Sequence, residues 1–157
     1  MHFLIKSDVA CPWNIDLKNL VKNRVDVLVD FTVESLRAGV REVFLMLCDG
    51  TTYRITSAPE RSKEAARRIF ASPSFKTDLS TLLGGYKHVY YLHEKGVDVS
   101  QASLEKDGLY IFGDHDGLTP ADEELLARRA VWVSLGAIPY MSWQAAVYLA
   151  YLLKRLR

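Results

Sequence analysis

The chain has 157 residues, 49% of them hydrophobic and 25% charged, with 20 Lys and Arg against 19 Asp and Glu. That length suits a single domain which must hold any cofactor and substrate together, and the composition excludes a disordered or fibrous chain. The near-neutral balance excludes a generally basic surface, so a nucleic-acid partner would need a local patch of positive charge.

In chain order, His2 to Lys6 is rich in apolar and β-favouring types and predicts a first strand. It shows no basic start followed by a signal-like apolar core, so export is not expected. Cys11-Pro12-Trp13-Asn14 breaks the chain, and a short helix is expected from Asn14 or Asp16 towards Lys22. From Arg24 to Ala38 the positions Val25, Leu28, Val29, Thr32, Val33 and Leu36 recur at helical spacing, and Gly39 supplies the stop. Glu42 to Cys48 is an apolar run of strand length. Asp49-Gly50 then signals a hairpin to a partner strand, Thr51 to Thr56. Cys48 is expected to pack in the core. Cys11 and Cys48 form neither a disulfide framework nor a metal-ligand spacing, which points to a reducing compartment and a cytoplasmic location.

Pro59-Glu60 after Ser57 predicts a helix start ahead of the helix formers Glu64 to Ile69, whose polar face is basic. A weaker helix, Thr77 to Leu83, ends at Gly84-Gly85, and strands follow at Lys87 to Leu92 and Leu109 to Phe112. Thr119-Pro120-Ala121-Asp122 supplies an N-cap, a first-turn proline and an acid at the third position of a helix running to Arg129. Val131 to Ser134 predicts the last strand, and Ser142 is placed to cap a closing helix from Trp143 to Leu156. The apolar run in that helix, Ala145 to Leu153, is too short to cross a bilayer, so no membrane partner is expected.

Strands alternating with helices predict an α/β domain spanning 1–157, with a mostly parallel sheet covered on both faces. Ligands of such sheets sit outside the carboxyl ends of the strands. Three predicted loops occupy that position: Leu92 to Gly96, Gly113 to Gly117, and Leu135 to Tyr140.

Five stretches carry a family resemblance: Arg24 to Leu28, Pro59 to Ser62, Tyr91 to Asp98, Ile111 to Leu126 and Val133 to Gly136. Each is short, but their order and spacing together are specific. In these stretches the chain resembles the archaeal tRNA pseudouridine-54 N1-methyltransferases (TrmY), members of the SPOUT class. The resemblance implies a deep trefoil knot at the C-terminal end of the sheet, a rare exception to the rule that connections do not thread. It also implies S-adenosylmethionine as methyl donor and an RNA substrate, with tRNA favoured and ribosomal RNA the alternative. A homodimer through the C-terminal knot helix is implied as well, and the apolar face Ala146, Leu149, Ala150 and Leu153 is a candidate seam.

Carried onto this chain, the cofactor site of the family falls on Leu92, His93, Gly113, Asp114, Gly117, Leu118, Leu135, Gly136, Ile138 and Tyr140. Glycines there would let main chain approach a bulky ligand, while the apolar residues could enclose an adenine. The plainer alternative is that the glycines only turn the chain after strands. The resemblance makes Asp26 the catalytic carboxylate and assigns RNA contacts to Arg24 and Arg61, which Lys63, Arg67 and Arg68 could extend. Here the alternative is a helix-start acid and solvated arginines. No metal is expected at His93, Asp114, His115 and Asp116, because their spacing is not that of a zinc site. Trp132 and Trp143 are expected in the core or at a dimer contact.

Two departures from the family pattern bear on the target. Tyr140 to Ala145 replaces a histidine-rich stretch, and Asn19 to Asn23 replaces a glycine-rich loop ahead of Arg24. A ribose 2′-O or guanine methyltransferase, a non-catalytic knotted RNA-binding or ribosome-assembly dimer, and a small nucleotide-binding protein remain alternatives.

Overall fold

The computed structural model describes residues 1–59 and 64–156. The elements in order are β1 (His2–Lys6), α1 (Val25–Arg37), β2 (Glu42–Met46), β3 (Thr51–Ile55), α2 (Ala65–Phe70), β4 (Ser74–Lys76), α3 (Leu79–Leu83), β5 (Val89–Asp98), β6 (Leu109–Gly113), α4 (Pro120–Arg129), β7 (Val131–Ser134) and α5 (Ser142–Lys154). They build a sheet in the order β4-β3-β2-β1-β6-β5-β7. Neighbours from β2 across to β7 are parallel, while β3 and β4 add an antiparallel edge.

Both faces of the central strands β1, β2 and β6 are buried, and their alternate residues serve different cores. Phe3, Ile5, Val43, Leu45, Tyr110 and Phe112 join the core under α1, α2 and α5. Their neighbours Leu4, Phe44, Met46, Leu109 and Ile111 join the second core under α3 and α4. The expected α/β architecture with helices on both faces is therefore present. Among the described residues no helix is long and apolar enough to cross a membrane.

Helix α1 is more deeply buried than a surface helix, because it packs against the sheet, α2 and α5 together. Phe31 is fully buried, 4.9 Å from the Phe112 ring and 6.3 Å from Phe3. The helix ends where Gly39 N–H and Val40 N–H turn back onto the carbonyls of Leu36 and Ser35, as a Schellman stop requires. At the start of α4 the predicted signature is realised: Thr119 Oγ1 accepts from Asp122 N–H at 3.2 Å, and Pro120 occupies the first turn.

Several expectations need correction. The segment expected as a helix from Asn14 or Asp16 to Lys22 consists of turns, with a 3-10 turn over Lys22–Arg24. Asn14 explains this, since its side chain accepts from Cys11 N–H and donates to the Val9 carbonyl, bonds that compete with a helix. Residues 92–96 are not a loop. Strand β5 continues through them to Asp98 with a register shift against β7 between Leu92 and Val97. A Cβ on Gly96 would stand 2.4 Å from Val133 N, so only glycine permits this approach of the two strands. Ser142 does not cap α5. Its hydroxyl donates to the Gly113 carbonyl at 2.9 Å, while Gln144 accepts from the Met141 N–H at the helix start. A short edge strand, β4, is added beyond the elements that the sequence predicts.

The cysteines also need correction, because Cys11 and Cys48 are joined in a disulfide. Strands β1 and β2 are parallel neighbours, so the segments leaving their carboxyl ends meet, and Cys48 N–H donates to the Ala10 carbonyl at 2.9 Å. Tertiary adjacency pairs two residues 37 apart in sequence, and the argument for a reducing compartment from unpaired thiols falls. Finally, Ala146, Leu149, Ala150 and Leu153 are fully buried within the chain's own core, where α5 packs on α1, and cannot form an intermolecular seam.

Truncating Phe31 tests the inner core. Phe31→Ala is expected to destabilise the fold by about 3–5 kcal/mol, through lost burial and a cavity beside Phe3 and Phe112. Denaturant unfolding of the two proteins measures it.

Candidate active site

Parallel strands β6, β5 and β7 end at one edge of the sheet, and the three segments singled out above meet there around a cavity of about 870 Å³. This volume lies within the range of about 300–1,000 Å³ common to small-molecule sites. Leu92, His93, Gly113, Asp114, Gly117, Leu135, Gly136, Ile138 and Tyr140 all line it. Leu118 does not. It is buried in the second core with Leu126 and Ile111, because the chain turns inward after Gly117 to begin α4.

The turn after β6 is built by Asp114. Its carboxylate accepts from Asp116 N–H at 3.0 Å, and its carbonyl accepts from Gly117 N–H at 3.0 Å. A Cβ on Gly113 would lie 2.8 Å from Gly117 Cα, so glycine lets the turn close on itself. Around Gly136, by contrast, there is open space beyond the backbone, and a ligand can lie directly against main chain. The Ser142 hydroxyl on the Gly113 carbonyl ties the segment entering α5 to the end of β6. Ser142 and Ala145 both line the cavity, and neither was among the expected site residues. The signal available was position alone: they begin the helix that follows the third loop.

His93 forms part of the wall on the β5 side. Its Nδ1 accepts from Lys95 N–H at 3.1 Å, which leaves the ring proton on Nε2, 3.3 Å from Glu123. Tyr91 donates its hydroxyl to the same carboxylate at 2.8 Å, and burial raises the Tyr91 pKa above the ordinary phenol value. Trp132 packs edge-on to Tyr91 at 4.8 Å and against His93 at 5.0 Å, so it belongs to the core, as expected. His115 lies between two acids, with Nδ1 3.8 Å from Asp114 and Nε2 3.1 Å from Asp116.

Asp26 and Arg24 are not in the cavity wall. They sit at the start of α1, which follows β1 and so begins at the same carboxyl edge of the sheet. Arg24 Nε and Nη2 donate to the two Asp26 oxygens at 3.1 and 3.3 Å. That hydrogen-bonded pairing, and more weakly the charge of Asp116 on the cavity rim, raise the Arg24 pKa above its ordinary value. Asn23 and Arg24 both adopt left-handed backbone, with φ of 57° and 52°. Non-glycine residues pay on the order of 1–3 kcal/mol each for such conformations, which collect at functional sites. Arg61 and Lys63 fall outside the described residues.

Comparison with known proteins gives a consistent picture. A family model described as "Putative SAM-dependent RNA methyltransferase" matches residues 69–149. A tRNA (pseudouridine(54)-N(1))-methyltransferase of Pyrobaculum aerophilum is 61% identical over 136 residues, covering 86% of this chain and 99% of the relative. Among solved structures, Archaeoglobus fulgidus Nep1 bound to S-adenosylhomocysteine superposes with a TM-score of 0.67 at 17% identity, over 85% of this chain and 71% of that one. The methyltransferase AviRb of Streptomyces viridochromogenes in complex with AdoMet gives 0.63 at 13% identity, over 99% and 57%. At these identities the two structures attest the fold.

The buried Asp114 gives the site a pH signature. Burial raises its carboxyl pKa above the ordinary 3.8, against the opposing hydrogen bonds from Ser7 and the Asp116 amide. The folded state therefore holds this proton to higher pH than the unfolded state does. Stability falls as pH rises from the unfolded pKa through the folded one, and the loss is complete above it. Asp114→Asn is expected to melt above the parent at pH 7, with the difference vanishing as pH falls to about 3, where both states are protonated. Thermal unfolding across that range checks it.

Proposed function

Because the chain belongs to the family of tRNA (pseudouridine(54)-N(1))-methyltransferases, we propose that it transfers a methyl group from S-adenosylmethionine to N1 of pseudouridine 54 in tRNA. The observation that carries this reading is the cavity of about 870 Å³ between three strand-end turns, with a carboxylate and arginine pair at the same edge. The cavity suits a nucleoside cofactor: main chain borders open space at Gly136, and Leu92, Leu135 and Ile138 offer apolar surface for an adenine. S-adenosylmethionine, when bound, supplies an electrophilic methyl group on its sulfonium.

The chain's own residues must position the base and remove a proton. N1 of pseudouridine carries a hydrogen that departs as the new N–C bond forms. Asp26 accepts a hydrogen bond from N1–H and then its proton. Arg24 holds both oxygens of that carboxylate, fixing its orientation, and leaves Nη1 directed elsewhere, where a phosphate can engage it. Arg61 is assigned to the RNA path on the family resemblance alone. Asp26→Asn keeps the shape and removes the proton acceptor. We expect kcat on pseudouridine-containing tRNA to fall about 10²- to 10⁴-fold, with adenosylmethionine affinity unchanged by calorimetry. An unaltered kcat would remove Asp26 from the role.

The trefoil knot is part of the same proposal. Its support is the return of the chain after β7, where Ser142 bonds to the end of β6 and α5 crosses back onto α1. A cytoplasmic location follows from a tRNA substrate and is compatible with a disulfide, since disulfides persist inside some heat-adapted cells. A homodimer is also proposed, through the outer face of α5. Met141, Tyr148 and Tyr151 are 48%, 42% and 61% exposed there, with Tyr140 packed on Tyr148 at 5.8 Å. Tyr151→Lys is expected to shift the protein to monomer in light scattering, and a parent that is itself monomeric would overturn the dimer.

A further inference from the structure

The segment between β1 and α1 holds Trp13 at 75% exposure, with Val21 at 64% and Leu17 at 42% beside it in sequence. The segment is nevertheless tightly held. Cys11 is bonded to Cys48, and Asn14 accepts from Cys11 N–H at 2.8 Å and donates to the Val9 carbonyl at 3.0 Å. Asn23 donates to the Asn14 carbonyl at 3.2 Å, which ties the flank of Trp13 to the residue before Arg24. The backbone on both sides of the indole is fixed while its ring faces solvent.

Charge around it is also directional. Lys18 and Lys22 are exposed, and among the described residues neither makes an ion pair. The nearby acids are engaged: Asp8 with Lys6 at 2.7 Å, Asp16 with the Lys18 amide at 2.9 Å, and Asp26 with Arg24. An exposed aromatic on a segment that also carries two exposed, unpaired lysines and leads directly into Arg24 and Asp26 has the composition of a single-strand RNA platform. Protein interface cores are depleted of lysine, which argues against a protein partner here.

We propose that Trp13 stacks on an unpaired RNA base next to the target nucleotide, with Lys18 and Lys22 on the adjoining phosphates. The contact rests on RNA being the substrate and adds to it a determinant outside the methyl-transfer site. Because the segment is already ordered, stacking forfeits little conformational freedom, and any base offers a suitable face.

The test is steady-state methylation of a tRNA transcript carrying pseudouridine, with Trp13→Ala and Trp13→Phe compared to the parent. Trp13→Ala should raise KM for RNA about 5- to 150-fold, with kcat within about twofold. Its melting temperature and adenosylmethionine affinity should match the parent, and Trp13→Phe should recover most of the loss. One abasic substitution near the target should reproduce the KM defect in the parent and add nothing to it in Trp13→Ala. An unchanged KM for Trp13→Ala, on RNA that the parent methylates, overturns the platform and leaves the methyltransferase reading intact. A parent that methylates no RNA removes the reading beneath it. Loss of self-association in Trp13→Ala without a change in KM would assign the indole to a second copy of the chain instead.

Discussion

Burial of both faces of the parallel sheet is the constraint from which the rest follows. Side chains of β1, β2 and β6 are committed alternately to two cores, so no ligand can lie against either face. What remains open is the carboxyl edge, where strands release their last carbonyls and the chain must turn. Chemistry on this scaffold is confined to turns and helix starts. The cavity lies there, and so do Arg24 and Asp26.

A site made of turns must keep them in place, and the structure does so with short polar bonds. Asp114 closes its own turn, Ser142 fastens the entry to α5 onto Gly113, and Glu123 collects Tyr91 and His93. Each bond joins elements distant in sequence or fixes a bend that packing alone would leave loose. Most of the residues that line the cavity are uncharged, so the wall discriminates among ligands mainly by shape.

The start of α1 shows a different economy. This chain places Asn23 and Arg24 in left-handed backbone and accepts the strain. That conformation brings the Arg24 side chain back over Asp26. The polar segment before it, pinned by Asn14 and by the Cys11 to Cys48 link, takes over the ordering that sequence-local turn residues would provide elsewhere.

Local patterns determined much of this molecule. The period of α1, the cap of α4, the hairpin at Asp49-Gly50 and the strand-end positions of Gly113 and Gly136 are properties of neighbouring residues, and neighbouring residues suffice to state them. Tertiary structure decided what depends on residues far apart. It joined Cys11 to Cys48 because two parallel strands end side by side, and it drew β5 on past Leu92 because β7 accepts it there. It buried Leu118, and it turned the apolar face of α5 inward onto α1, leaving Tyr148 and Tyr151 outside. A linear pattern records how apolar a position is. Which surface covers that position is settled only when the chain has packed.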